Sequence, residues 1–235
     1  MAKTGARLRK LARRPRSVPA TIARRIVPNS PQYGFPWVQQ PDGSVTFREG
    51  GFVSAPSPSM LLARHNFELA RIHGELHDIH ARRSLEIGCG FGRLSMAIAD
   101  HSDSHIAIDI NEDALAAARA TYPDIDFRSG GALSLPFPDD YFDLAVTWTV
   151  LQHIRPAQID TAAADIRRVL APGATLLICE ETRDPAGSGG HTWHRSVASY
   201  EQILSPLRLV RHGLIDAVAV IPGMQSPGEV MVFHG

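Results

Sequence analysis

From Ser84 onward the chain alternates short apolar runs with stretches of helical periodicity. A run at 84–87 leads through three glycines into a helix at 92–101. A second, 105–109, leads into a helix at 111–121 that Asn111 is placed to cap, and a short strand spans 126–129. Strand 142–147 precedes a helix at 157–170, and Gly173 punctuates that helix end before strand 174–180. A helix at 198–205 and closing strands at 209–220 and 229–234, joined by "IPGMQSPG", complete the pattern. Alternating β and α segments with short connections predict a largely parallel sheet covered by helices on both faces.

Upstream the pattern changes. Residues 59–81 carry Leu62, Phe67, Leu69, Ile72 and Leu76 on one side of a predicted helix, with Ser59 as its cap. Residues 1–58 are rich in Pro and Arg and broken by turn signals, with one hairpin expected in "GSVTFREGGFV". The division is therefore an irregular basic arm and cap, 1–58, and one domain, 59–235.

Charge sharpens that division. The 235 residues balance to zero, but Met1–Ile26 holds nine Lys and Arg and no acid, leaving a net −9 on the remainder. Such an arm suits contact with nucleic acid or an anionic membrane surface, or is simply a solvated tail. "RRPRS" is followed by no apolar stretch of signal-peptide length, and no run approaches the roughly 18 apolar residues of a membrane span. The expectation is a soluble cytoplasmic protein. Cys89 and Cys179, the only cysteines, form no disulfide framework and no metal-binding pair.

The candidate chemistry begins at "LEIGCGFGRL", 85–94. Glycines after a strand let a ligand approach the backbone, and the following helix aims its N–H groups there. A dinucleotide fingerprint needs glycine at 93, where this chain has Arg93; its third glycine is Gly92. Glu86 precedes the loop and would repel a pyrophosphate, while Asp109 ends the next strand, where a carboxylate can accept from ribose hydroxyls.

E-x-G-x-G-x-G at 86–92, Asp109, "LPFPDDYFD" at 135–143, "VLQHI" at 150–154 and "RRVLAPGATLL" at 167–177 together resemble the class I S-adenosylmethionine-dependent methyltransferases. The resemblance implies a doubly wound, Rossmann-like α/β fold. Its seven-stranded sheet is mostly parallel, with an antiparallel strand 7 and order 3-2-1-4-5-7-6. It implies S-adenosylmethionine as cofactor, with Gly88, Cys89, Gly90 and Gly92 beneath the methionine portion and Glu86 supporting its amino end. Asp109 would bind the ribose, Ile110, Ala132 and Leu133 would meet the adenine, and Thr147 and Trp148 would leave strand 4 beneath the sulfonium. Two departures stand out: Gly131 where the family often has an acid, and Ala174 in place of the second glycine of a P-G-G turn.

The acceptor side is less marked. His153 after strand 4, and Glu180 and His194 in the polar stretch "EETRDPAGSGGHTWHRSVASY", are the candidates for acceptor contact or a proton-accepting base. The glycines at 187, 189 and 190 suggest a lid. His191-x-x-His194 lacks acidic partners, and His65, His73, His77 and His80 look like surface positions of the 59–81 helix, so no metal is expected. Arg64 and His65 are placed to meet the methionine carboxylate or the acceptor. The resemblance favours a small-molecule acceptor, possible lipid or glycan linkage included. The rivals are an RNA or protein methyltransferase guided by the arm and a non-catalytic cofactor-binding partner subunit.

Overall fold

A computed structural model describes residues 57–182, 191–215 and 228–235, with the backbone of three short strands upstream. The basic arm, the glycines expected to form a lid, and the turn expected before the last strand lie outside the described residues.

The three upstream strands, Val38–Gln39, Val45–Thr46 and Ser54–Ala55, form a small antiparallel sheet. Its second strand lies within the expected hairpin and pairs antiparallel with the third, which begins one residue past the hairpin's expected end.

The main sheet comprises β1 (Ala81–Ile87), β2 (Ser102–Asp109), β3 (Asp126–Ser129), β4 (Phe142–Trp148), β5 (Leu170–Glu181), β6 (Arg208–Leu214) and β7 (Gly228–His234). The order is β3-β2-β1-β4-β5-β7-β6. The first five strands pair in parallel, and β7 runs antiparallel to both β5 and β6. This is the expected doubly wound architecture. Strand order reverses at β1 and β4, and such a switch opens a ligand crevice at the carboxyl ends of the strands.

Among the described residues five α-helices cover the sheet: α1 (Pro58–Glu75), α2 (Ser95–Ala99), α3 (Glu112–Thr121), α4 (Ile159–Val169) and α5 (Val197–Leu204). Alternate residues of one strand serve opposite faces. Leu85, Ile87, Leu176 and Ile178 pack with Ile166, Tyr200 and Leu204 of α4 and α5. Leu144, Val146, Leu177 and Cys179 pack with Ile72 of α1, Leu76 just past its end and Ile98 of α2. Cys89, Ala107 and Phe127 meet Leu115 and Ala118 of α3.

Several boundaries differ from expectation. Ser57, not Ser59, caps α1: its hydroxyl accepts from the Met60 N–H at 3.3 Å, with Pro58 at the first helical position. That helix stops at Glu75 because the chain must turn before entering β1 at Ala81. The glycine turn delays α2 until Ser95, since the Gly92 N–H bonds back to Cys89 O and the Ser95 N–H to Gly92 O. Gly173 lies inside β5, where its φ of +78° accommodates a register shift: Leu170 pairs with Phe142, and Thr175 already pairs with Leu144.

Candidate functional site

The glycine loop is stitched to β2 by two backbone bonds, from the Gly88 and Cys89 N–H groups to Ile108 O at 2.8 and 2.9 Å. Gly88, Gly90 and Gly92 all adopt positive φ. Their surroundings differ. A Cβ on Gly88 would lie 2.4 Å from Val150 Cγ2, and one on Gly92 would lie 2.7 Å from the Phe127 ring. A Cβ on Gly90 would meet nothing within 4 Å. Two glycines therefore pack inward, and the middle one presents bare backbone to open space.

The Gly90 N–H donates to Asp109 Oδ2 at 2.7 Å, and the Asn111 N–H donates to Asp109 Oδ1 at 2.9 Å. Asp109 is thus fixed between the glycine loop and the start of α3. An ionised carboxylate has about four acceptor positions, so two are committed and two remain for a diol. Asn111 caps α3 as expected, accepting from the N–H groups of Asp113 and Ala114.

Ile110, the residue after Asp109, is 80% exposed, and Leu133 is 40% exposed. Gly131 lies against Ile110, where a Cβ would come 2.8 Å from Cγ2. The missing acid therefore has a steric reason: a longer side chain at 131 would displace this apolar wall. Ala132, by contrast, is buried in the core.

Other residues expected at the cofactor face elsewhere. Cys89 buries its side chain against α3, and burial, with Glu86 and Asp109 nearby, pushes its thiol pKa up. Glu86 is buried, accepts from the Ser95 hydroxyl and has His105 Nε2 at 3.7 Å, so it braces the loop from below. Thr147 is buried and donates to Glu180 Oε1 at 3.2 Å. Trp148 is buried with α1 neighbours, and its Nε1–H finds no acceptor among the described residues.

Glu180 is fully buried. Its Oε1 accepts from the N–H groups of Val150 and Leu151, and its Oε2 accepts from that of Gln152. Burial pushes its carboxyl up to about 7, even though these backbone donors and Thr147 pull it down. The structure places Glu180 inside the loop after β4, with no open face toward an acceptor. Arg195 closes the same loop from above, donating to the carbonyls of Leu151, Ile154 and Trp193. His153 is exposed, with its Nδ1 2.9 Å from His191 O. His194 sits one residue before the Arg195 clamp, its Nε2 2.6 Å from Glu181 Oε2 and its side chain 12% exposed.

On the α1 side, Glu68 is buried between Arg64 and Arg93. Burial would raise its carboxyl, but the two guanidinium groups and their hydrogen bonds hold it below its ordinary value. Arg64 therefore serves an internal carboxylate. His65 is buried beside this group, and burial, then the charge of Arg93, lowers its pKa to about 3. His73 meets His101 at 3.0 Å and His80 meets Asp103 at 2.8 Å, both near the opposite end of the strands. Among the described residues no group of three ligating side chains is placed to hold a metal.

Sequence reasoning placed Glu181 and Arg195 only in the polar stretch after β5 and missed Glu68 and Gln152 as organisers of the site. Each works through a partner distant in the chain, so no local motif marks it.

A family model for a methyltransferase domain matches residues 85–173. A probable S-adenosylmethionine-dependent methyltransferase of Mycolicibacterium smegmatis is 35% identical over 117 residues, which is 49% of this chain and 44% of that protein. A fatty-acid O-methyltransferase of the same organism is 30% identical over 146 residues, 58% of this chain and 53% of that protein. The chain spans about half the length of these relatives. Among solved structures, the N-methyltransferase NodS of Bradyrhizobium japonicum, in complex with S-adenosyl-L-homocysteine, superposes with a TM-score of 0.61 and 22% identity, covering 75% of this chain and 87% of that one.

Proposed function

We propose, from the premise that this domain belongs to the class I S-adenosylmethionine-dependent methyltransferase family, that the chain is an enzyme transferring a methyl group from S-adenosylmethionine to a small-molecule acceptor. One observation carries the reading. The glycine loop and Asp109 form a single hydrogen-bonded unit with a bare middle glycine, and the residue that follows Asp109 is the exposed, apolar Ile110. That combination fits an amino-acid-bearing nucleoside and offers no cluster of cations for a pyrophosphate.

In this reading Asp109 accepts from the ribose hydroxyls, and Ile110 and Leu133 flank the adenine. Gly88, Gly90 and Gly92 underlie the methionine portion, and the Trp148 indole, whose N–H has no acceptor among the described residues, lies beneath the sulfonium. Glu86 acts indirectly, by holding Ser95 and so the exit of the loop. The cofactor supplies a methyl group made electrophilic by its sulfonium; the protein orients the acceptor and excludes water. The fatty-acid O-methyltransferase relative supports an acceptor of small-molecule size.

Calorimetry of the full chain with S-adenosylmethionine and with NAD tests this. Binding of S-adenosylmethionine, weakened about 100-fold in Asp109→Ala by the loss of two charge-assisted hydrogen bonds, supports it. Binding of NAD alone sinks it. The nine cations of Met1–Ile26 favour a second reading, a nucleic-acid acceptor. RNA binding that falls steeply with salt and vanishes on deleting that arm would select it. Tight cofactor binding without turnover of any acceptor would instead select a non-catalytic partner subunit.

A further inference from the structure

His73 and His101 face each other across the seam between α1 and the turn that joins α2 to β2, at the opposite end of the strands from the glycine loop. His73 Nδ1 lies 3.0 Å from His101 Nε2, with the ring centroids 5.2 Å apart. Neither the sheet nor the cofactor site calls for this pair. Its two members come from segments 28 residues apart, and together they tie the end of the covering helix to the start of β2.

The half-buried His101 is held as a ligand is held. Its backbone N–H donates to Ile98 O at 3.0 Å, and its carbonyl accepts from the Ala81 N–H at 2.8 Å. Its Nδ1 lies 3.3 Å from Ile79 O. A carbonyl can only accept, so Nδ1 carries the proton and Nε2 keeps its lone pair turned toward His73. A ring N–H bonded to a backbone carbonyl is the usual way a metal-binding imidazole is oriented. Burial lowers the pKa of His101, which keeps the ring a neutral ligand, and the nearby charge of Asp100 favours a cation there. His73 is exposed and adjustable, and it stands in the last turn of α1, where the carbonyl end of the helix also favours a cation.

We propose that His73 and His101 form a two-histidine site for a divalent transition metal, Cu2+ or Ni2+ ahead of Zn2+, which clips the end of α1 to the start of β2. Metal–imidazole bonds of about 2.0–2.1 Å place neighbouring nitrogens of a square or octahedral centre about 2.9 Å apart, and those of a tetrahedral centre about 3.3 Å apart. The observed 3.0 Å matches the first arrangement. In the metal-free pair the His73 Nδ1–H donates into the His101 lone pair. The metal takes the place of that proton, which leaves to solvent, as the exposed His73 ring turns to admit it. Among the described residues no third ligating side chain completes the set, so water fills the remaining positions and the metal exchanges with solution. His77 and His80 stand apart from the pair: His77 Nδ1 is taken by Gly74 O at 2.9 Å and His80 Nε2 by Asp103 at 2.8 Å.

The test uses the full chain and the chloride salts of Cu2+, Ni2+ and Zn2+ alone, with calorimetry and electron paramagnetic resonance of the bound copper. One equivalent is expected to bind, most tightly for Cu2+, with a spectrum showing two imidazole nitrogens on the metal. His73→Ala and His101→Ala are each expected to weaken binding more than about 10-fold and to remove the two-nitrogen signature. His77→Ala and His80→Ala are expected to change neither. The melting temperature of the wild type should rise by about 5 °C at copper a hundredfold above its Kd, and that rise should vanish in His73→Ala. His73 is exposed, so its variant carries the conclusion even if His101→Ala fails to fold. Binding of several weak equivalents spread over the eleven histidines would show adventitious metal only and overturns the proposal. So does undiminished binding by His73→Ala, or an equal loss in His77→Ala.

Discussion

Glu68 on α1 and Arg93, the first residue past the glycine loop, form an ion pair whose side chains are 3% and 12% exposed. Arg64 shares the same carboxylate at 2.9 Å. One buried acid therefore fastens the covering helix to the cofactor loop. Glu68→Ala leaves two guanidinium groups without their counter-charge and is expected to lower stability by about 3–5 kcal/mol in urea denaturation. A loss below about 1 kcal/mol would show that the pair is solvated and the helix loosely held.

The three loop glycines are expected to separate stability from binding. Gly92→Ala combines positive φ with a collision against the Phe127 ring, and is expected to cost more than about 2 kcal/mol of stability. Gly90→Ala meets no neighbour and should cost only the backbone strain, about 1–2 kcal/mol. Its new methyl projects into the cradle, so the larger effect should appear in cofactor affinity. Calorimetry beside thermal denaturation distinguishes the two; equal affinities for both variants would remove Gly90 from the site.

Two buried groups give stability opposing pH dependences. His65 titrates at about 3 when folded and 6.5 when unfolded, so its contribution is full above 6.5 and lost as pH falls toward 3. Glu180 titrates at about 7 when folded and 4.5 when unfolded, so the folded state is penalised as pH rises from 4.5 to 7. Their slopes cancel between about 4.5 and 6.5. In His65→Asn the decline due to Glu180 should emerge there, and in Glu180→Gln the rise due to His65 should emerge. Denaturation midpoints across pH 4 to 8 check this; parallel curves for wild type and both variants would contradict it.

Ile110→Ser tests the apolar wall. The residue is 80% exposed, so stability should change by less than about 0.5 kcal/mol. Affinity for S-adenosylmethionine should fall about 10-fold as apolar contact with a flat ring is lost. An unchanged affinity would mean that the adenine is held elsewhere.

Much of this was legible in the sequence because periodicity and turn chemistry are local. The strand at 126–129, the Asn111 cap, the glycine loop and the sheet order all follow from residues close together in the chain or from motifs in series. The ends of α1 and α2 were less legible, because caps and turns compete within a few residues of one another: Ser57 and Ser59 flank the same proline. Glu180 shows what was illegible. Its sequence neighbours mark it as a polar residue leaving a strand toward a ligand. Its partners are backbone N–H groups about 30 residues earlier, which no side-chain pattern records.

The contact between Gly88 and Val150 joins residues 62 positions apart. It bears on the order in which the protein is made. When β1, the glycine loop and β2 have left the ribosome, the sequence that recognises a nucleoside is already present, but nothing yet covers Gly88. The side chain that packs on Gly88 arrives only with the residues after β4, and the Glu180 clasp that fixes those residues arrives about 30 residues later still. A nascent chain halted before Val150 should leave the loop unsettled, so this part of the protein becomes competent for ligand late in synthesis, although its motif is among the first of the domain to emerge.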